Sequence, residues 1–131
     1  KENDSSDEIK RMCEWFLENM GPKVPLHFSA FHPDFKMLHH TATPADTLKR
    51  ARRIAIKAGV HYVYTGNIYD PDGQSTRCPT CAQVVIGRDR YALNTWKLES
   101  GLCSQCATPI AGRFNESPGV WGNQRRPLHI I

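Results

Sequence analysis

The sequence predicts an α/β protein: a partial parallel (β/α) barrel fragment followed by a small β ribbon. Two observations support this prediction. The first part of the chain alternates helix and strand patterns, and four of the five cysteines form two Cys-x-x-Cys pairs in the second part. We expect the barrel fragment over residues 1–70, the ribbon over 71–115 and an extended tail over 116–131.

The paired cysteines have the spacing of metal ligands. Two thiolates on one tight turn can point at the same ion, and two such turns complete a tetrahedron at Zn–S distances of about 2.3 Å. The pairs are separated by 21 residues, close to the usual span of roughly 15 to 20. Because all four ligands would be thiolates, the site has no open position for water or substrate. The pattern predicts a structural zinc ribbon with the ligands Cys78, Cys81, Cys103 and Cys106.

Disulfide bonds and iron are the two alternatives to zinc. An odd number of cysteines and no signal-peptide pattern favour a reducing compartment, so we expect a cytoplasmic protein whose cysteines bind metal. Iron in a rubredoxin-like site takes similar ligands, and spacing does not separate it from zinc.

The residues between and after the cysteine pairs read as strands. Residues 84–86 are β-branched, 87–90 read as a turn, and 91–96 alternate with a period of two. This predicts a hairpin that joins the two metal-binding turns. We expect a third strand over 109–114.

A first helix is predicted to follow the capping box Ser5-Ser6-Asp7-Glu8 and to end at Gly21-Pro22. Cys13 falls on its apolar stripe and is expected to be a buried core residue rather than a reactive thiol. The stripe comprises Ile9, Met12, Cys13, Phe16 and Met20.

A second helix is predicted to start at Thr43-Pro44, with Thr43 as N-cap, and to end at Gly59. Its apolar stripe comprises Leu48, Ala51, Ile54, Ala55 and Ala58. The opposite face carries Lys49, Arg50, Arg52, Arg53 and Lys57. These cations could follow a phosphate backbone, although a solvated outer face is the commoner reason for such a pattern.

Two apolar strands, over 24–28 and 60–67, alternate with these helices and should be parallel. Parallel strands are normally covered on both faces, so two strands with two helices leave apolar surface uncovered. We therefore expect this chain to be the last part of a larger barrel or to pair with another chain. Its opening at Lys1-Glu2-Asn3-Asp4, just before a helix cap, fits a cut within a longer protein.

Several segments together resemble the C-terminal portion of one radical S-adenosylmethionine (SAM) family. They are Asn3-Asp4, Pro-Leu-His-Phe-Ser-Ala-Phe-His-Pro-Asp-Phe-Lys-Met at 25–37, Tyr-Val-Tyr-Thr-Gly-Asn at 62–67 and the two cysteine pairs. The family is the AmmeMemoRadiSam system radical SAM enzyme, similar to pyruvate formate-lyase activating enzymes. The resemblance covers nearly the whole chain, as far as the segments Trp121-Gly122 and Arg125-Arg126-Pro127.

The resemblance implies a partial α/β barrel whose 4Fe-4S cluster reductively cleaves SAM to a 5′-deoxyadenosyl radical. The family's Cys-x-x-x-Cys-x-x-Cys motif and its glycine-rich segment are not in these 131 residues and are expected upstream. A cluster needs correctly spaced thiolates, so this chain alone should be inactive, and we assign it no catalytic residue.

The resemblance makes His32 a candidate contact for SAM. This residue matches, by its place at the end of a late strand, a histidine that approaches SAM in related activating enzymes. An imidazole can hydrogen-bond a ribose hydroxyl or a carboxylate. The alternative is that His32 caps its loop or packs under Phe35. A lone histidine rarely binds metal, so His27 reads as a strand residue, while His39, His40 and His61 read as surface residues.

The expected partners are the missing N-terminal barrel portion or another chain, and a protein substrate. A net charge of +4 is compatible with nucleic-acid binding but is too small to predict it. No apolar run approaches the ~20 residues of a membrane span. The competing hypothesis is a freestanding zinc-ribbon module that binds nucleic acid or protein.

Overall fold

The structure is a computed structural model that describes residues 3–119. The expectations for Lys1 and Glu2, and for Trp121, Arg125 and Arg126 in the tail, fall outside these residues. Within 3–119, none of the helices has both the length and the apolar character needed to cross a bilayer.

Helix α1, Ser6–Met20, begins and ends where the sequence predicts. The Ser5 hydroxyl accepts a hydrogen bond from the Glu8 backbone N–H at 3.3 Å and donates one to the Glu8 carboxylate at 2.9 Å. Gly21, at φ 78°, ends the helix. Ile9, Cys13 and Phe16 of its apolar stripe are buried and Met12 is partly buried. Met20 is 50% exposed because the last turn extends past the core. Cys13 is fully buried, as predicted.

Helix α2, Ala45–Ala58, ends as predicted at Gly59, which takes a left-handed conformation. The predicted N-cap is wrong, because Pro44 precedes the helix and no side chain caps it. The Thr43 hydroxyl instead accepts a hydrogen bond from the Phe31 backbone N–H at 3.1 Å. Thr43 therefore fixes the long loop after the first strand rather than the helix terminus.

Strands β1, Leu26–Ser29, and β2, Val63–Gly66, form a two-stranded parallel sheet, as predicted for this helix–strand pattern. Alternate residues point to opposite faces of a sheet. Leu26, Phe28 and Val63 pack with α1 and α2 in one core. The opposite face pairs His27 with Tyr64 and Ser29 with Gly66.

The helices cover one face of this parallel sheet, and the ribbon contacts the other face at Tyr64. His27 and Ser29 are exposed, whereas Leu26 and Phe28 are partly buried under the helices. In the part of the chain that the structure describes, β1 pairs with β2 alone. The mixed α/β character is therefore confirmed, and these residues do not by themselves close a barrel.

The ribbon begins with the short helix α3, Pro71–Gln74, and an antiparallel sheet of three strands. These strands are β3, Thr76–Arg77, β4, Val84–Asp89, and β5, Ala92–Trp96. The predicted turn over 87–90 is misplaced, because β4 continues to Asp89 and the chain reverses at Arg90 and Tyr91. Gly87 is needed inside the strand, since a Cβ there would lie 2.3 Å from Asn94 Oδ1.

The strand predicted over 109–114 does not form. The chain instead makes a second hairpin just before this segment. It consists of β6, Leu98–Glu99, and β7, Leu102–Cys103, joined through Ser100 and Gly101, which both have positive φ. Pro109 makes one isolated bridge with Leu102. Proline has no backbone N–H to donate, which limits strand pairing at this position.

Strand β2 and the residue before it join two hydrophobic cores. Val63 packs with the helices, while Tyr62 is buried with Val85, Ile86 and Leu98 of the ribbon. The Tyr62 hydroxyl accepts a hydrogen bond from the Ala111 backbone N–H at 3.0 Å. The Tyr64 hydroxyl lies 2.9 Å from Thr76 Oγ1. The ribbon is thus packed and hydrogen-bonded onto the parallel strands.

An ion-pair cluster makes a second connection between the ribbon and the helices. Asp72 accepts hydrogen bonds from Arg77 in β3 and from Arg52 in α2, the latter at 3.2 Å. The hydrogen bond from Arg77 lowers the pKa of Asp72; partial burial opposes the shift, and the charge of Arg52 adds to it. Asp72 therefore bridges the two parts of the chain.

Replacing Asp72 should produce a small, pH-dependent loss of stability. Because the folded-state pKa is depressed, the contribution is complete above the unfolded pKa of about 3.9 and disappears as the pH falls through the folded value. For Asp72→Asn we expect a loss below about 1 kcal/mol at neutral pH, since the carboxylate is half exposed. Urea unfolding should show this difference vanishing at low pH. The control Asp89→Asn, at an exposed residue without an ion pair in the described structure, should show no such trend.

Candidate metal centre and adjoining cavity

Two turns of matching backbone geometry carry the paired cysteines. In the first, Ala82 N–H donates to Cys78 O at 3.0 Å and Cys78 N–H donates to Gln83 O at 2.9 Å. In the second, Ala107 N–H donates to Cys103 O at 2.8 Å and Cys103 N–H donates to Thr108 O at 2.9 Å. Ala82 and Ala107 both have positive φ, of 59° and 55°. Each turn therefore directs both of its thiols to the same side.

The two turns face each other, so that the four sulfur atoms form one cluster. All four lie within 4.8 Å of one another. The sulfurs of Cys78 and Cys106 are 3.5 Å apart, and those of Cys81 and Cys103 are 3.7 Å apart. A tetrahedron with metal–sulfur distances of 2.3 Å has edges of about 3.8 Å. The cluster therefore has the size needed to hold a single metal ion.

Hydrogen bonds prepare part of the cluster for ionisation. The hydroxyl and the backbone N–H of Thr108 lower the pKa of Cys106 to about 6. Burial would raise the pKa of Cys78, but the N–H groups of Cys81 and Thr80 outweigh it and lower that pKa. At Cys81 the N–H of Gln83 favours the thiolate, yet burial and the three neighbouring thiols raise the pKa to about 12. Four thiolates this close repel one another, and a bound cation would remove that cost.

The site is closed to substrate chemistry. Cys78 and Cys103 are buried, while Cys81 is partly and Cys106 largely exposed. With four protein ligands, a tetrahedral ion has no position left for water. Among residues 3–119, these cysteines are the single group of three or more metal-ligating side chains. The arrangement therefore suits a structural ion rather than a catalytic one.

The residues present do not fit a 4Fe-4S cluster. Such a cluster spreads its thiolates around a multi-atom core, whereas these four sulfurs are close enough to share one ion. The remaining cysteine, Cys13, is alone in the helical core. Residues 3–119 therefore offer no ligand set for a 4Fe-4S cluster.

The basic face predicted on α2 is partly used within the protein. Arg52 Nε donates to Val63 O at 3.0 Å, and its guanidinium also reaches Asp72. Arg50 pairs with Asp4 through both its backbone oxygen and its carboxylate. Lys49, Arg53 and Lys57 remain exposed. Two of the five cations thus have structural roles, which leaves a weaker electrostatic surface for nucleic acid than the sequence suggested.

His32 lies in the exposed loop after β1. Its Nδ1 is 3.1 Å from the carbonyl oxygen of Pro33, and the loop continues through a short 3₁₀ helix, Phe35–Met37. Phe35 is 78% exposed. This loop follows the carboxyl end of a parallel strand, where α/β proteins commonly bind ligands. A contact between His32 and SAM stays a prediction.

The other histidines are outside the cysteine cluster. His39 and His40 stack with ring centroids 4.2 Å apart in the exposed loop, and His61 is also exposed. His27 lies on the open face of the parallel sheet, where its ring is 4.9 Å from that of Tyr64.

A cavity of about 720 Å³, open to solvent, lies between the sheet face that carries His27 and the ribbon. His27 and Tyr64 line it from the sheet, while Arg88 and Arg90 line it from the β4–β5 hairpin. No sequence pattern marks Tyr64, Arg88 or Arg90 as site residues. Period-two alternation could have placed His27 and Tyr64 on one face, but nothing local indicated that the hairpin folds over it.

The site thus defines a class of protein: an α/β unit with a fused ribbon that carries a closed four-cysteine metal centre. The chain is similar to the uncharacterized protein MJ0808 of Methanocaldococcus jannaschii. The two are 37% identical over 112 residues, which cover 82% of this chain and 33% of that protein. The chain therefore spans about a third of the length of this curated relative. No family model matches the chain, and no solved structure does.

Proposed function

We propose that this chain is the C-terminal half-barrel and zinc ribbon of a radical SAM protein that resembles glycyl-radical activating enzymes. The observation that carries the proposal is the parallel sheet with one covered face and one open polar face. In a (β/α) barrel the helices cover the outer face of the strands and the inner face lines the core or the active site. His27 and Tyr64 would then face the barrel interior, while Leu26 and Val63 face the outer helices.

Unburied apolar side chains support the view that more protein packs against this unit. Phe31, Phe35, Met37 and Leu38 in the loop after β1 are all exposed. A second cavity, of about 510 Å³, lies beside them between Phe28, Phe31 and the two helices. Several large apolar side chains exposed in one short loop are typical of an interaction site. In the proposal, the N-terminal part of the barrel covers it.

Zinc is the metal that we propose for the ribbon. The closed four-thiolate geometry matches structural zinc, and its role would be to hold the ribbon against β2. Because free thiolates persist in reducing compartments, the proposal includes a cytoplasmic location. Iron takes the same four ligands, so metal analysis of the isolated chain distinguishes the two ions.

The proposal is tested on the longer polypeptide that contains this chain together with its upstream sequence. After anaerobic purification and reduction with dithionite, we expect iron and sulfide in cluster amounts, one zinc, and formation of 5′-deoxyadenosine from SAM. The 131-residue chain alone, as the control, should contain about one zinc and form no deoxyadenosine. An upstream sequence without Cys-x-x-x-Cys-x-x-Cys, or a cluster-loaded protein that leaves SAM intact, would contradict the proposal.

A further inference from the structure

The cavity between the parallel sheet and the ribbon combines positive charge with an aromatic floor. Arg88 and Arg90 lie on the hairpin side, and no aspartate or glutamate is present among the described residues that line it. Within residues 3–119, neither arginine takes part in an ion pair, unlike Arg50, Arg52 and Arg77. Their guanidinium groups therefore add positive charge at the cavity, and among the described residues no carboxylate is in ion-pair contact with them.

The backbone holds the two arginines in place. The Arg88 N–H donates to Ser75 Oγ at 3.1 Å, and the Arg90 N–H donates to Gln74 Oε1 at 3.1 Å. Both bonds tie β4 and the following turn to the end of α3. The arginine side chains thus extend from an anchored backbone rather than from a free loop, which limits the backbone entropy lost when a ligand binds.

The floor is a pair of rings set by strand register. His27 and Tyr64 are direct partners in the parallel sheet, and their planes are inclined by 31° with centroids 4.9 Å apart. The Tyr64 hydroxyl is held by Thr76. Together the two rings form an aromatic pair, in which each ring packs against the other and against which a planar ligand ring can pack.

Three other polar side chains of the cavity wall already have partners inside the protein. Thr65 donates to the buried Asp70 at 2.9 Å, and Asn67 donates to Ala30 O at 3.3 Å. Gln74 donates to Ile68 O at 3.0 Å. These hydrogen bonds fix the conformation of the cavity wall. Among the described residues that line the cavity, the charged side chains are those of Arg88 and Arg90, so these two can select a ligand by its charge.

We propose that this cavity binds a small molecule that joins a planar heteroaromatic ring to an anionic group, of the nucleoside monophosphate type. The ring stacks on His27 and Tyr64, and the phosphate or carboxylate accepts hydrogen bonds from Arg88 and Arg90. Guanidinium groups match such anions because they donate two parallel N–H bonds. The volume is within the range of roughly 300 to 1,000 Å³ typical of small-molecule sites. The inference uses the sheet face that the proposed function places inside a barrel, but its test requires no radical chemistry.

Calorimetric titration of the metal-loaded full chain with adenosine monophosphate tests this inference. We expect saturable binding that weakens about tenfold or more in the double variant Arg88→Gln, Arg90→Gln, because hydrogen bonds between charged groups are lost. The matched control Lys49→Gln, Arg53→Gln removes the same charge from the exposed face of α2 and should bind like the unaltered chain. Equal weakening in both variants would show nonspecific attraction and overturn the proposal.

Ligand fragments separate the contributions of ring and anion. Adenosine lacks the anion and inorganic phosphate lacks the ring, so each should bind at least about tenfold more weakly than adenosine monophosphate. Tyr64→Leu should weaken binding, whereas Tyr64→Phe keeps the ring and should retain it. Inorganic phosphate that binds as well as the nucleotide would refute the stacking role. No binding of the nucleotide at millimolar concentration to the unaltered chain would refute the site, whatever the outcome for the proposed radical enzyme.

Discussion

Cys103→Ser should release the metal and unfold the ribbon. Cys103 is the buried ligand at the end of β7, and its loss leaves three thiolates around the ion. Because structural zinc sites contribute about 10–16 kcal/mol of apparent binding free energy in small peptides, a weakened site destabilises the fold that depends on it. Metal content should fall from about one ion per chain to well below that. Amide hydrogen exchange should show the largest loss of protection in β3 to β7 and a smaller loss in α1 and α2.

Cys13→Ala is the control for this experiment. It also removes one thiol from a buried position, but this position is in the helical core and outside the cysteine cluster. The metal content of Cys13→Ala should therefore equal that of the unaltered chain. Unchanged metal content in Cys103→Ser would contradict the four-thiolate site.

Phe16→Ala should be the most damaging core substitution in the helical part. Phe16 is 9% exposed and packs in the core that α1 and α2 form over the parallel strands. Removal of a buried phenyl ring costs about 3–5 kcal/mol, through lost burial and the cavity that remains. Such a loss is a large share of the stability of a small domain. Urea unfolding followed by far-UV circular dichroism measures it.

Phe35→Ala gives the matched comparison, because the same ring is removed from a side chain that is 78% exposed. For a surface substitution we expect a change within about 0.5 kcal/mol. Similar losses in both variants would mean that Phe16 does not contribute to the core as described.

The helices and the four-cysteine cluster could be predicted from the sequence because the residues that mark them are close together in the chain. The capping box at Ser5 and Glu8 and the terminal Gly59 use interactions within a few residues of chain. The turn hydrogen bonds of each Cys-x-x-Cys pair are also local, so spacing alone indicated which thiols converge. Parallel pairing followed from the alternation of helices and strands.

The predictions of a turn at Gly87 and of an N-cap at Thr43 were wrong because contacts with distant residues outweigh the local conformational preferences of these residues. Gly87 resembles a turn residue, yet it lies in β4, where it pairs with Thr95 of β5 and a Cβ would lie 2.7 Å from the Thr95 Cβ. Thr43 resembles an N-cap, yet its hydroxyl accepts from Phe31. A single sequence does not reveal which distant group will compete for a hydroxyl or occupy the space beside a glycine.

Predicting the cavity from the sequence would have required even more knowledge of contacts between distant residues. His27 and Tyr64 are 37 residues apart in the numbering, and Arg88 belongs to another sheet. Only the packing of the ribbon onto β2 brings them to one site. Sequence patterns could therefore indicate the metal centre, whose ligands are close in sequence within each turn, but not the cavity beside it.

Tyr62 and the adjacent Val63 lie in different cores, so the stability of each core depends on the other. The Tyr62 ring is buried among ribbon residues and its hydroxyl accepts from Ala111, while the next residue, Val63, is held by the helices. A ligand that binds only the folded form stabilises every element that unfolds together with its site. Metal bound at the cysteines therefore adds protection against unfolding to α1 and α2. By the same linkage, damage to the helices lowers the affinity of the distant thiolates for their ion.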